Sequence, residues 1–228
     1  MLTLLPTSPF PKWASFSVVH GDLPSGEKPS AIEMACLSPR AVPKRRRSFI
    51  LGRVAARRAL LALGLPATPI LVGRDGSPIW PPGVVGAISH AKDLAVAVVA
   101  PTRYTDGVGI DVEQTNRLND VTIQHLVADK DEQRWIDGQP ARLVTLFSAK
   151  ESLFKAFYPV HGEYFGFDAV HLERDGDSFQ ATLRRPLADW ATGSRYRVRC
   201  QCYNGMVITS VYLPPRNRTL ASRRSNQP

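Results

Sequence analysis

The chain has 228 residues, of which 43% are hydrophobic, and a formal net charge of +9. This length provides a sizeable core, arranged either as one large domain or as two lobes of about a hundred residues each. The positive charge predicts an acidic partner, which could be a nucleic acid, an anionic membrane or an acidic protein.

The cysteine count and the apolar runs exclude three classes of protein. The three cysteines form neither an even disulfide framework nor a four-ligand zinc pattern. The longest apolar run, Leu94 to Ala100, is too short to span a bilayer. Residues 1–6 lack the basic segment of a signal peptide. We therefore expect a bacterial-type cytoplasmic protein whose cysteines are reduced.

The first third of the chain predicts a long basic helix followed by a short strand. A basic run from Lys44 to Arg47 leads into residues 49–63, which are rich in Ala, Leu and Arg with apolar residues at helical spacing. Gly64, shortly before a proline, ends this helix. Residues 70–72 predict a strand, and the Gly- and Pro-rich residues 73–78 predict a turn.

A polar pair, Ser89-His90, stands between two apolar runs at residues 83–88 and 94–100. The pattern predicts a strand, a polar turn and a second strand, with the pair at the end of a sheet. There a hydroxyl and an imidazole can form hydrogen bonds with an anion. His90 taken alone is equally typical of a structural turn.

Residues 107–113 alternate between apolar and other residues with a period of two, which predicts a short strand. Its valines and isoleucine point into the core, so Asp111 and Glu113 share the opposite face. Gly107 and Gly109 leave the backbone before these carboxylates without side chains, so we expect a ligand to approach closely there.

A helix is predicted around residues 147–156, bounded by Pro140 and Pro159. Glu151 and Lys155 stand four residues apart on one face, a spacing that is also common in solvated salt bridges. Together with the two strand carboxylates, Glu151 completes an oxygen-ligand set suited to a hard cation such as Mg²⁺. Lys150 points about 100° away from Glu151, and a pyrophosphate contact and a structural salt bridge remain equally open for it.

The remaining residues predict two short helices and a meander of strands. Asp175-Gly176-Asp177 and Asn204-Gly205 are strong signals for hairpin turns. The predicted helices cover residues 121–128 and 130–136, and the predicted strands cover residues 169–174, 178–183, 196–203 and 206–212.

The motifs together resemble the signatures of the 4′-phosphopantetheinyl transferases. The Phe-Ser-x-Lys-Glu-Ser form, with the arginine-rich helix and Pro78-x-Trp80-Pro81, resembles the enterobactin-synthase branch of the surfactin-type group. The motifs span about residues 46–159, roughly half of the chain, in the family's order. They are Ile88-Ser89-His90, Gly109-Ile110-Asp111-Val112-Glu113 and Phe147-Ser148-x-Lys150-Glu151-Ser152-x-Phe154-Lys155-Ala156.

The resemblance implies an α+β fold of two similar lobes in one chain, a pseudo-dimeric arrangement. Each lobe would be a small, mainly antiparallel sheet packed by a long helix. The implied lobes are residues 1–105, on the coenzyme A side, and 106–213, which carries the catalytic carboxylates. A basic tail at 214–228 is predicted to be disordered.

The resemblance also implies the reaction. The 4′-phosphopantetheine arm of coenzyme A would pass to a serine of an apo carrier protein, with release of adenosine 3′,5′-bisphosphate. Mg²⁺, held by Asp111, Glu113 and Glu151, would bridge the pyrophosphate oxygens. Glu151 would take the serine proton, directly or through a metal-bound water. Lys155 would add a point charge on the same phosphates.

Coenzyme A and the carrier are the implied partners, and a monomer would suffice. Carrier proteins are typically acidic, which fits the charge, and siderophore, nonribosomal peptide or polyketide synthesis is favoured, with fatty-acid synthesis as a further option. Family members often carry a basic residue where this chain has Ser77, and Arg74 could substitute from the same turn. The other candidates for the 3′-phosphate and ribose end are Arg46, Arg53, Ser89, His90 and Lys155.

The alternative from another class is a non-catalytic basic binding protein. A nucleic-acid-binding protein would show affinity that falls steeply with salt and would not need the carboxylates. A carrier-binding homologue without catalysis is disfavoured because all of the carboxylates and Lys155 are present.

Overall fold

Two antiparallel sheets, each packed by one long helix, form the α+β fold of the chain, as expected. The structure, a computed structural model, describes residues 7–23, 26–117 and 121–216. The predicted tail beyond residue 216 lies outside the described residues, and the boundary near residue 105 stays a prediction.

The N-terminal lobe is built on a three-stranded sheet with the strand order β1-β5-β4 and a separate two-stranded β2–β3 ribbon. Its elements are β1 (Ser15–His20), α1 (Ala31–Met34), α2 (Pro43–Ala62), β2 (Leu71–Val72), β3 (Pro78–Ile79), β4 (Val84–Ala91) and β5 (Leu94–Pro101).

The predicted basic helix is α2, which begins at Pro43, earlier than the apolar spacing indicated. A proline at the first helical position gives up an N–H that would have no partner inside the helix. Ala55, Ala56 and Ala59 are fully buried against β1 and β5, so small side chains let the helix lie close to the sheet. Gly64 then takes a left-handed φ of 73° just past the helix.

The prediction of a polar turn at Ser89-His90 is wrong, because β4 continues through both residues to Ala91. The chain reverses one step later, where Lys92 takes a left-handed φ of 53°. Ser89 and His90 are therefore strand residues paired with β5, although they do lie at the end of the sheet as expected.

The C-terminal lobe carries a five-stranded sheet in the order β6-β10-β9-β8-β7. Both predicted hairpins are present, and Asn204 and Gly205 both have positive φ values, as a type I′ turn requires. The elements are β6 (Gly107–Gln114), α3 (Val121–Val127), α4 (Lys130–Ile136), α5 (Pro140–His161), a 3₁₀ turn (Phe167–Ala169), β7 (Val170–Asp175), β8 (Ser178–Leu183), β9 (Arg195–Tyr203) and β10 (Met206–Leu213).

The motif helix is α5, and it does not stop before Pro159 as expected but includes it in its last turn. Loss of one N–H near the end of a long helix is tolerated because packing against β6 and β10 stabilises the rest. Gly162, with φ of 76°, caps the end. Among the described residues, no helix has the length and apolar character needed to cross a membrane.

The two lobes meet where β4 and β5 pack against β6 and β10. The core of this junction is apolar and includes Val96, Val98, Ile110 and Ile208, all at most 1% exposed. Because the polar edge of β4 and the polar face of β6 border this junction, their functional side chains come together between the lobes.

Candidate active site

Two glycines of β6 allow α5 to lie directly on the strand. A Cβ atom at Gly109 would lie 1.8 Å from the carbonyl oxygen of Ser152, and one at Gly107 would lie 2.2 Å from that of Ala156. Sequence reasoning assigned this bare backbone to an approaching ligand, and that expectation is wrong because the helix occupies the space. The close contact brings Lys155 beside the carboxylates of β6.

Asp111 is the centre of the site and is only 3% exposed. Its Oδ1 accepts hydrogen bonds from Ser89 Oγ (2.7 Å) and Lys155 Nζ (2.6 Å). Its Oδ2 is buried and has no hydrogen-bond partner among the described residues. A buried carboxylate oxygen without a partner is costly, and a bound cation would satisfy it. The residues present therefore fit a metal at this point.

Glu113 lies on the same face of β6 as Asp111, as predicted, and is 6% exposed. Arg117, in the turn that follows the strand, forms an ion pair with its Oε1. Burial raises the pKa of Glu113 above its usual value, the Arg117 hydrogen bond opposes this rise, and the Asp111 charge adds to it.

Glu151 approaches these carboxylates from α5. Burial raises its pKa, Lys155 opposes the rise, and the charges of Asp111 and Glu113 add to it. The charge of Asp111 helps to raise the pKa of both glutamates, and such a concentration of negative charge favours a cation among the three carboxylates. Their assignment as metal ligands stays a prediction.

Another group of possible ligands lies nearer to one another. Among the described residues, Asp129, Glu132 and His171 form the one trio whose ligand atoms all lie within 4.8 Å of each other. Together with Lys150 and Arg184 we call these five residues the cap cluster. Both carboxylates of this cluster already have partners on every oxygen.

The N terminus of α4 accounts for many of these partners. Asp129 Oδ1 accepts from the backbone N–H of Asp131 and of Glu132, while its Oδ2 lies 2.7 Å from His171 Nδ1 and 2.6 Å from an Arg184 nitrogen. Burial opposes the effect, but these hydrogen bonds lower the pKa of Asp129 to about 2. The pattern is that of a helix cap neutralised by cations.

Lys150 settles the alternative that its position in the sequence left open. Its Nζ donates to Glu132 Oε2 (2.8 Å), to the Val127 carbonyl (2.8 Å) and to the Phe167 carbonyl (3.1 Å), with 3% of the side chain exposed. Burial lowers its pKa, and the Glu132 charge opposes this. Lys150 is thus a structural cation of the cap cluster.

The phosphate-binding candidates of the N-terminal lobe lie across the junction. Arg53 is 6% exposed, its Nε has no described hydrogen-bond partner, and its guanidinium carbon lies 4.4 Å from the Phe49 ring centroid. Burial lowers its pKa, and Glu33 opposes this. Desolvation in the cleft, with Lys155, also lowers the pKa of His90. Arg53 Nε is therefore a buried donor that an anion could satisfy.

Arg45 is a functional candidate that sequence reasoning missed. Its positive charge helps to lower the pKa of both Arg53 and His90, so it lies within their electrostatic range. The named residue was its neighbour Arg46, and both side chains are exposed. A signal was available, because Arg45, Phe49 and Arg53 follow each other at intervals of four along one face of α2.

A cavity of about 410 Å³ opens between the two lobes. Asp75 and Ser77 of the β2–β3 turn line one side, and Glu151, Lys155 and Tyr158 of α5 line the other. Ser77 Oγ donates to Asp75 Oδ1 (2.8 Å), and this bond lowers the pKa of Asp75. The turn therefore presents a carboxylate where a basic residue was expected.

Arg74, the proposed substitute, does not line this cavity. Trp80 does, and its ring fills the space that a Cβ at Gly86 would need, 2.6 Å from the nearest ring atom, so the ring packs against β4. A second cavity of about 210 Å³ shares Glu151 with the first and is lined by aromatic rings, those of Phe154, Tyr164, Phe165 and Phe167.

Two family models match the chain. Residues 33–100 match a model described as the 4′-phosphopantetheinyl transferase N-terminal domain. Residues 107–202 match a model described as the 4′-phosphopantetheinyl transferase superfamily. The two matches cover the N-terminal and the C-terminal lobe in turn.

Named relatives agree with the family models. The 4′-phosphopantetheinyl transferase Svp of Streptomyces mobaraensis is 37% identical over 214 residues, 88% of this chain and 86% of that protein. The 4′-phosphopantetheinyl transferase PptT of Mycobacterium tuberculosis is 34% identical over 222 residues, 92% and 96% of the two chains. Enterobactin synthase component D of Salmonella typhi is 36% identical over 119 residues, about half of each chain.

Proposed function

Because this chain belongs to the 4′-phosphopantetheinyl transferase superfamily and is a 4′-phosphopantetheinyl transferase, we propose that it uses coenzyme A to modify acidic carrier domains of a siderophore or nonribosomal peptide synthetase. The similarity to enterobactin synthase component D supports a siderophore pathway, although it covers half of the chain. The net charge of +9 supports an acidic acceptor. A single chain carries all of the proposed site residues, so a monomer suffices.

Coenzyme A would occupy the cavity between the lobes and the neighbouring aromatic cavity of the C-terminal lobe, which share lining residues. Arg53, Arg45 and His90 would bind its phosphates. The unpartnered Nε of the buried Arg53 supports this assignment, and the charge of Arg45 acts on both Arg53 and His90. The pantetheine arm would follow the aromatic cavity lined by Phe154 and Tyr164, which shares Glu151 with the first cavity.

Asp111, Glu113 and Glu151 would hold Mg²⁺, and the unpartnered Asp111 Oδ2 is the observation that supports this. Mg²⁺, when bound, would neutralise charge on the pyrophosphate and polarise the phosphorus. Lys155 Nζ, already 2.6 Å from Asp111 Oδ1, would contribute a second positive charge at the leaving phosphate.

Glu151 would accept the proton of the acceptor serine, directly or through a water. Burial raises the pKa of Glu151, so its carboxylate holds an accepted proton more readily than an exposed glutamate does. The serine Oγ forms a bond to the phosphorus of the phosphopantetheine group, the bond from that phosphorus to the bridging oxygen breaks, and adenosine 3′,5′-bisphosphate leaves with the electron pair.

The test is the intact mass of an apo carrier domain after incubation with the protein, coenzyme A and Mg²⁺, with a matched sample in EDTA. A gain of about 340 Da that requires the metal is expected. Acyl, peptidyl and aryl carrier domains should be compared, because modification of fatty-acid carriers alone would overturn the assigned pathway. A gain that persists in EDTA would overturn the metal assignment.

A further inference from the structure

Two cations flank the three carboxylates, and the protein holds them differently. Lys155 is part of the long helix α5, binds Asp111, and has 26% of its side chain exposed. Arg117 lies in the turn after β6, binds Glu113, and has 53% of its side chain exposed. Arg117 is the more exposed of the two cations, so its guanidinium can leave the carboxylate and become hydrated more easily.

The Arg117 guanidinium occupies Oε1, one of the two oxygens through which Glu113 could bind a metal. Only 8% of the Glu113 side chain is exposed, so access to Oε1 is limited and Arg117 takes it. The guanidinium carbon lies 5.8 Å from the centroid of the Phe147 ring, close enough to be held there by a cation–π attraction. Arg117 therefore covers Glu113 from the solvent side.

The charge of Arg117 reaches beyond Glu113. Burial raises the pKa of Glu113 and of Glu151, and Arg117 opposes the rise at both. A single arginine thus supplies part of the positive charge that a divalent cation would supply to the same two carboxylates. A divalent cation bound to Glu113 would lie next to this guanidinium, and the two positive charges would repel each other.

We propose that Arg117 is a built-in competitor of the divalent cation for Glu113, and that it sets how tightly the protein binds metal before coenzyme A arrives. This inference rests on the proposed function, in which Glu113 is a metal ligand. When the metal binds, Arg117 leaves Glu113 and its exposed guanidinium returns to solvent. Lys155 stays in place because it projects from the long helix α5, is less exposed than Arg117, and leaves Asp111 Oδ2 to the metal.

The experiment measures Mn²⁺ affinity of the full chain without coenzyme A, by electron paramagnetic resonance of the free ion. Arg117→Gln should bind Mn²⁺ about three- to tenfold more tightly than the unmodified protein, because removal of a partly exposed ion pair frees Glu113. Arg117→Lys, which keeps the charge, should stay nearer to the unmodified value.

Arg134→Gln is the matched control. It removes the same unit of charge from an exposed pair with Asp131, whose side chains are 79% and 62% exposed, and it should leave the Mn²⁺ affinity unchanged. Equal tightening in both variants would mean that net charge alone is responsible and would overturn the inference. So would an unchanged or weakened affinity in Arg117→Gln.

Two further variants separate this inference from the proposed function. In a Glu113→Gln background, Arg117→Gln should lose most of its effect, because the competition acts mainly through that carboxylate, and an undiminished effect would overturn the inference. Asp111→Asn should abolish the specific Mn²⁺ binding. If Asp111→Asn binds Mn²⁺ normally, the metal assignment itself fails; if it does not bind and Arg117→Gln still matches the unmodified protein, only the role of Arg117 fails.

Discussion

Helix α5 carries two lysines five residues apart, and each forms an ion pair with a carboxylate from another element. Lys150 meets Glu132 at 2.8 Å, with side chains 3% and 0% exposed, and Lys155 meets Asp111 at 2.6 Å, with side chains 26% and 4% exposed. The residue types and distances are alike, but the surroundings differ. Every carboxylate oxygen of the cap cluster has a partner, whereas Asp111 Oδ2 has none among the described residues.

The difference teaches how to separate a structural ion pair from a functional one. Three acidic or imidazole ligands lie closest together in the cap cluster, yet hydrogen bonds and two cations already satisfy them. At the other site, Asp111 Oδ2 has no hydrogen-bond partner among the described residues, and the neighbouring Glu151 lines a cavity. A buried polar atom without a hydrogen-bond partner, next to a cavity, therefore indicates a functional site better than the closeness of possible ligand atoms does.

The largest effect on stability should follow from breaking the ion pair between Glu132 and Lys150 in the cap cluster. Glu132→Gln leaves the Lys150 charge buried without its counter-charge and should lower the free energy of unfolding by about 3–5 kcal/mol. Urea denaturation measures this, with the exposed Asp131→Asn as the control, expected within about 0.5 kcal/mol of the parent. A loss under about 1 kcal/mol in Glu132→Gln would remove the distinction between the two pairs.

The second effect concerns the open site. Asp111→Asn should reduce carrier modification by about 100-fold or more, because it removes a proposed metal ligand and the charge that orients Lys155. Its unfolding free energy should change far less than that of Glu132→Gln. Rates from intact-mass time courses and urea midpoints of the same samples give both numbers, and comparable destabilisation by the two variants would contradict a catalytic role for Asp111.

A third variant tests whether the contact between β6 and α5 positions the open site. Gly109→Ala places a methyl group against the Ser152 carbonyl and should cost about 1–3 kcal/mol of stability through overpacking. Because the shift separates Asp111 from Lys155, carrier modification should fall as well, at saturating coenzyme A. Full activity with reduced stability would show that the site tolerates a wider separation.

The smallest effect is the acid response of the cap cluster. The folded pKa of Asp129 is about 2, below its unfolded value of about 4, so its stabilisation is present above pH 4 and is lost as the pH falls towards 2. Asp129→Asn should be about 1–2 kcal/mol less stable than the parent at pH 6. The loss is no larger because Asp129 is partly exposed and solvent screens its ion pairs. Urea curves at pH 6 and pH 3 should show that gap narrowing; a constant gap would contradict the assignment.

Periodicity predicted much of this architecture correctly. The two-residue alternation placed Asp111 and Glu113 on one face of β6, and the Gly-containing turns predicted both hairpins, because these features depend on local backbone geometry. The four-residue spacing of Glu151 and Lys155 likewise placed both on the cleft side of α5.

The errors arose where a distant partner decides the outcome. The role of Gly109 depends on which element packs on β6, and the partner of Lys150 lies 18 residues away on α4. The choice between Arg45 and Arg46 depends on how α2 is rotated on its sheet. Local sequence does not specify these tertiary contacts, so the pattern along the chain misassigned the role of Gly109 and left the partner of Lys150 open.

The contact between Gly109 and Ser152 lies between the two lysines of α5, so it can act as a pivot point for the helix. A helix of 22 residues is a stiff rod about 33 Å long. Any tilt about this point moves Lys150 and Lys155 in opposite directions. Three hydrogen bonds hold Lys150 in the cap cluster, so that cluster resists the tilt. A structural ion pair thereby helps to keep Lys155 beside Asp111.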